Sequence, residues 1–139
     1  MTKVSMSTKL GVPAQRVWDL IGGFNALPDW HPAVEKSELE EEGKTTVRRL
    51  TLAGGQTIVE RLDHKDDKER IYSYSILSSP LPVADYVATL RVREDDDGGC
   101  TVAWSSEFNP AGVPESDAAE VIRGIYQAGF DNLKNIFGG

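Results

Sequence analysis

From Val34 to Phe108 apolar and polar residues alternate with a period of two, and beyond Pro114 the apolar spacing changes to three and four. A chain patterned this way needs one sheet with a buried face and one helix to cover it. Val34–Glu41, Thr46–Leu52, Gln56–Asp63, Arg70–Leu77, Tyr86–Arg93 and Thr101–Phe108 read as successive strands. Gly43, Ala53-Gly54-Gly55, Asp66-Asp67, Pro80-Leu81-Pro82 and Asp95-Asp96-Asp97-Gly98-Gly99 supply the breaks between them. Ala118, Ile122, Ile125, Gly129, Leu133 and Ile136 then predict one long helix, opened by Pro114 and Ser116 and ended by Gly138-Gly139. Ahead of the meander, Val4, Met6, Thr8 and Leu10 alternate with Lys and Ser as a strand does. Pro13 opens a short helix carrying Val17, Trp18, Leu20 and Ile21, and a second short helical or irregular piece runs from Phe24 to Trp30. The expected class is α+β: a curved antiparallel sheet wrapped around the C-terminal helix, with two short helices after the first strand. Residues 1–139 read as a single domain.

Two charged residues break the pattern. In Thr46–Leu52, Arg48 shares a face with Leu50 and Leu52; in Gln56–Leu62, Glu60 shares one with Ile58 and Leu62. A three-residue turn through Ala53, Gly54 and Gly55, with a glycine at its positive-φ position, sets Leu50 opposite Ile58 and Arg48 opposite Glu60. A two-residue turn would invert that parity and set Leu residues against solvent-facing ones. An acid and a base therefore face each other on the inner surface. A turn centred on Asp67 would further set Tyr74 opposite Glu60 and Tyr72 opposite Leu62.

The same inner face carries Tyr72, Tyr74, Tyr86 and Trp104 among Val, Leu, Ile and Phe. Each unpaired polar group in a closed core costs on the order of 1 to 3 kcal/mol. An internal cavity for a small hydrophobic molecule accommodates such a set more naturally. The formal charge of −7 and the absence of a basic stripe argue against nucleic acid as a partner. The single cysteine, Cys100, excludes an internal disulfide, and no His/Cys cluster suggests a metal. No signal-like leader or 18-residue apolar run appears, so no membrane span is expected and the cytoplasm is the default location. Composition leaves the oligomeric state undetermined.

With these elements in this order, the chain resembles the START-like superfamily, also called SRPBCC, of helix-grip proteins, which includes polyketide cyclases, aromatases and lipid-transfer proteins. The run Val59-Glu60-Arg61-Leu62, followed by Tyr72-Ser73-Tyr74-Ser75-Ile76, Asp85-Tyr86-Val87-Ala88-Thr89-Leu90 and Val102-Ala103-Trp104-Ser105, is similar to that of the plant lachrymatory factor synthases. This likeness implies activity-bearing roles for Arg48, Glu60 and Tyr86, which parity independently places on the inner face. No cofactor is expected.

Competing roles remain open at this level. Glu60 could pass a proton, with Arg48 orienting it or gripping an oxyanion; equally, the pair could satisfy only itself. Tyr86 could donate to a ligand oxygen or pack as a core tyrosine. His31, in the Trp30-His31-Pro32 loop, is a candidate ligand contact or general base, and Tyr72, Tyr74 and Trp104 are candidate cavity lining or plain sheet packing. Gly129 is expected to leave room for a ligand beneath the helix. A non-catalytic carrier or sensor would use the same cavity.

Overall fold

The computed structural model describes residues 1–138. The chain runs β1 (Thr2–Leu10), α1 (Ala14–Ile21), α2 (Leu27–Trp30), β2 (Val34–Glu42), β3 (Thr45–Leu52), β4 (Thr57–Asp66), β5 (Ile71–Ser78), β6 (Val83–Glu94), β7 (Cys100–Pro110) and α3 (Glu115–Phe137). The expected helix end at Gly138-Gly139 is seen as far as Gly138, which takes a left-handed conformation with φ 69° and returns its N–H to Lys134; Gly139 lies outside the described residues.

The strands form one seven-stranded sheet in the order β1-β7-β6-β5-β4-β3-β2, antiparallel throughout. After β1 the chain crosses through α1 and α2 to the far edge and then meanders back. α3 packs against β1 and β7 and touches α2. This is the helix-grip arrangement, and its core follows the predicted parity: Leu50, Ile58, Leu90, Val92, Val102 and Phe108 point inward against Ile122, Phe130 and Leu133 of α3. Each fully buried Leu, Ile or Phe contributes roughly 1.5 to 3 kcal/mol, so the sheet face and the helix stripe hold each other in place.

The β3–β4 hairpin closes as its glycines require. Gly55 takes φ 87°, its N–H bonds to the Leu52 carbonyl at 2.9 Å, and Leu52 N–H bonds to the Gln56 carbonyl at 2.8 Å. Leu50 pairs with Ile58 and Arg48 with Glu60.

The next hairpin departs from the expected register. Leu62, not Glu60, pairs with Tyr74, and Glu60 pairs with Ile76. The turn is four residues long, Asp67 to Arg70, rather than centred on Asp67. Asp66 Oδ1 accepts the N–H groups of Lys68 and Glu69 at 3.0 and 3.2 Å, and Arg70 takes φ 52°. A register shift between Leu62 and His64 then restores parity, so that Leu62 and Tyr74 share the inner face.

Gly129 also behaves differently from expectation. It does not leave ligand space. A methyl there would lie 2.9 Å from Trp30 Cζ3, 3.0 Å from His31 Cδ2 and 3.2 Å from Trp104 Cζ3. These rings already pack against one another, with centroids 5.4 to 6.1 Å apart, so none can swing aside cheaply. Gly124, on the same helix, has nothing within 4 Å. Gly129→Ala should therefore destabilise the fold by about 1 to 3 kcal/mol. Gly124→Ala should stabilise it by up to about 1 kcal/mol, the helix-propensity gain alone. Urea unfolding of both variants measures this, and equal signs would show that the rings do not set the distance of α3 from the sheet.

Candidate functional site

Arg48 is held from every side. Its Nε donates to Glu60 Oε1 at 2.7 Å, Nη2 lies in ion-pair contact with the same oxygen at 2.7 Å, and Nη1 donates to the Phe24 carbonyl at 2.7 Å. The Phe24 ring centroid lies 4.1 Å from its Cζ and that of Tyr74 4.9 Å away, a cation packed among aromatic rings. Burial opposes the charge on Arg48, but Glu60 together with Tyr72 and Tyr74 more than offsets this and raises its pKa, so the guanidinium stays protonated. Burial pushes the Glu60 carboxyl above its ordinary 4.5, with Arg48 pulling the other way.

The two carboxylate oxygens of Glu60 differ. Both Arg48 contacts, from Nε and Nη2, fall on Oε1. Among the described residues Oε2 has no hydrogen-bond partner, yet it is not among the fully sealed polar atoms, and Glu60 lines the internal pocket. One oxygen is fixed by the protein and the other is not.

Tyr86 is aimed inward by a β-bulge. The β6–β7 register shifts between Ala84 and Val87, and Asp85 within the bulge takes φ 54° while accepting a bond from Asn109 Nδ2 at 3.2 Å. The Tyr86 hydroxyl bonds to that of Tyr126 on α3, a residue not singled out from the sequence. Burial raises the pKa of both hydroxyls, keeping them protonated. Trp104 Nε1 donates to the Tyr74 hydroxyl at 3.0 Å, and the Trp104 ring stacks on Tyr126 with centroids 4.3 Å apart.

His31 is buried, and both ring nitrogens are engaged. Nδ1 accepts from Ala33 N–H at 3.2 Å, which requires Nε2 to carry the proton, and Nε2 donates to the Ile125 carbonyl at 2.8 Å. Burial lowers its pKa against the opposing Ile125 bond, so the neutral ring acts as a strut between the α2–β2 loop and α3.

These residues surround a pocket of about 190 Å³ between the sheet and α3. Arg48, Glu60, Tyr74, Tyr86, Tyr126, Trp104 and His31 meet it among Leu50, Ile58 and Ile122, while the partly exposed Ala33, Leu52, Leu81, Val121 and Ile125 frame its mouth. Tyr72 does not reach the wall. It packs behind Arg48 against Trp18, Phe24 and Tyr74, so its part is to support rather than to line. Phe24 gave no signal in the sequence, because its role depends on where the chain passes after Gly22-Gly23. Among the described residues no group of three or more His, Cys, Asp and Glu side chains converges as a metal site would require, and no helix is long and apolar enough to cross a membrane.

Fold and pocket together define a helix-grip protein with an aromatic-walled internal site. Residues 1–138 match the family of polyketide cyclases/dehydrases and lipid transport, and the chain belongs to that family. It is 40% identical to the protein XoxI from Bacillus cereus, with a TM-score of 0.94 over 99% of this chain and 96% of that one. An uncharacterized protein from Bacillus thuringiensis is also 40% identical, with a TM-score of 0.93 over 99% of this chain and all of that one. The ZhuI aromatase/cyclase from Streptomyces sp. R1128 shares the fold, with a TM-score of 0.77 at 21% identity, covering 99% of this chain and 93% of that one. No curated protein matches the chain.

Two measurements follow from this geometry. Arg48→Ala should cost about 3 to 5 kcal/mol, since it strands a buried carboxylate, whereas Arg48→Met with Glu60→Leu should recover most of the loss. Urea unfolding decides, and a double variant no more stable than the single would mean that something other than the stranded charge sets the cost. For His31, a pKa lowered by folding from 6.5 means stability fully present above pH 6.5 and lost as the pH falls through the lower folded value. Wild type should lose stability between pH 7 and 5 relative to His31→Asn, by at most about 1.4 kcal/mol per pH unit. Parallel pH curves would contradict the buried neutral ring.

Proposed function

We propose that the pocket binds a small, largely apolar molecule bearing one polar oxygen, and that Glu60 passes a proton to or from it in an isomerase- or cyclase-like reaction needing no cofactor. The observation that carries this reading is the asymmetry of Glu60: one oxygen locked by Arg48, the other unpartnered at an apolar pocket. Arg48, with both Nε and Nη2 on Glu60 and Nη1 on Phe24, orients the carboxylate rather than gripping a substrate. A carboxyl raised by burial is a better proton acceptor than one in water, which suits an acid/base that must take a proton and return it near neutral pH. Tyr86 and Tyr126 share one bond between two hydroxyl protons, and the second proton can stabilise an oxyanion as it forms. The likeness of the Glu60, Tyr86 and Trp104 runs to the plant lachrymatory factor synthases supports the same assignment; that family's substrate is not transferred.

Size narrows the ligand. An engineered cavity of about 150 Å³ holds benzene, so about 190 Å³ suits a single substituted ring or a compact aliphatic molecule. The alternative, a carrier or sensor without turnover, draws on the family's own description, which joins lipid transport to cyclase chemistry.

Glu60→Gln separates the two. Native mass spectrometry of purified wild-type protein should reveal a co-purifying small molecule, and the variant should still bind it within a few-fold. If Glu60 is the acid/base, the variant should convert it at least about 100-fold more slowly. Wild-type turnover should fall as the pH drops through a midpoint above 4.5, where the carboxylate takes up its proton. Binding without conversion in wild type, or equal conversion in both proteins, would leave only the carrier reading.

A further inference from the structure

We propose that this pocket selects neutral ligands that carry a hydrogen-bond donor, such as a phenol, an enol or an alcohol on a single ring, and rejects carboxylates and other anions. The inference rests on the binding role proposed above and specifies the chemistry of its ligand.

A buried arginine in an apolar pocket ordinarily suggests an anion site. Here the guanidinium is turned into the wall, its side chain only 1% exposed. Nε and Nη2 are turned onto Glu60 Oε1 and Nη1 onto the Phe24 carbonyl, each at 2.7 Å, and the rings of Phe24 and Tyr74 pack close to the cation. The charge of Arg48 is thus compensated within the wall. What faces the pocket is Glu60 Oε2, an acceptor with no protein partner, on a side chain only 6% exposed. A ligand with an O–H or N–H completes that carboxylate. A ligand with a second negative charge would meet it in a low-dielectric space without a free cation to answer it. The remaining polar heads do not reverse this sign. Tyr86 and Tyr126 are neutral and bonded to each other, so their one remaining hydroxyl proton is a donor without charge; Trp104 donates to Tyr74, and the neutral His31 is closed off by Ala33 and Ile125.

Four ring-sized probes of nearly equal volume test the rule: toluene, 4-methylanisole, p-cresol and p-toluate. Titrations of the wild-type protein at pH 7.5 are followed through the amide and Trp indole N–H resonances, where Trp104 reports from the pocket wall. A hydrogen bond to a charged acceptor leads us to expect p-cresol to bind at least about tenfold more tightly than 4-methylanisole, which keeps the oxygen but lacks the donor. p-Toluate should bind at least about tenfold more weakly than p-cresol. In Glu60→Gln the cresol advantage should shrink to within about threefold and the penalty on p-toluate should fall. The wild-type series decides by itself, so the test does not depend on that variant folding. If toluene and 4-methylanisole bind as tightly as p-cresol, or p-toluate binds best, the donor rule is wrong while the pocket stands. If none of the four shifts any pocket resonance, the binding reading and this inference fall together.

Discussion

An oppositely charged pair enclosed in an apolar hollow is the constraint that the rest of the molecule serves. Removing either ion from water costs several kcal/mol, and the pair is tolerable only if its hydrogen bonds and mutual attraction are nearly ideal. Arg48 meets that condition through Glu60 Oε1, the Phe24 carbonyl and the surrounding aromatic rings. Glu60 meets it only in part. A structural ion pair has no use for a half-satisfied acid, and the apolar residues around the pocket offer that acid no substitute for water. The incomplete half of the pair is therefore where function is to be sought.

Holding the pair requires departures from a regular sheet. The register shifts at Val59/Glu60, directly beside the carboxylate, and at Leu62/His64, which brings Tyr74 to the inner face. A third shift, with Asp85 at positive φ, sets Tyr86. Each extra residue adds local twist and redirects a side chain, so the irregular places on β4, β5 and β6 are those that feed polar groups into the pocket. A regular ladder would keep the hydrogen bonds of the sheet and lose the convergence of its tyrosines.

Periodicity made much of this legible. Alternation is a local property, and one glycine turn transmits it across a hairpin, so the facing of Arg48 and Glu60 could be read from the chain between residues 46 and 62. The strands and the long helix follow for the same reason. The Tyr74 register was not legible, because it depends on a four-residue turn and a register shift whose parities compensate. Phe24, Tyr126 and the carbonyl of Ile125 were not legible as site elements either, since each acquires its role only when an element distant in sequence packs beside it.

Gly129 shows how packing, rather than fold class, sets what such a protein can hold. A glycine facing a cavity invites the reading that it makes room for a ligand. Here the missing side chain lets Trp30, His31 and Trp104 approach the helix, and His31 then ties the loop to the Ile125 carbonyl one turn earlier. The helix is thereby held close to the rings at that end of the sheet, and His31 and Trp104 also stand in the wall of the pocket of about 190 Å³. A family that joins cyclization to lipid transport shares a sheet and a helix, but the space between them is written in a few contacts of this kind. In this chain the cavity has the scale of one ring, and at that scale a single unpaired carboxylate oxygen is a large fraction of the polarity a ligand meets.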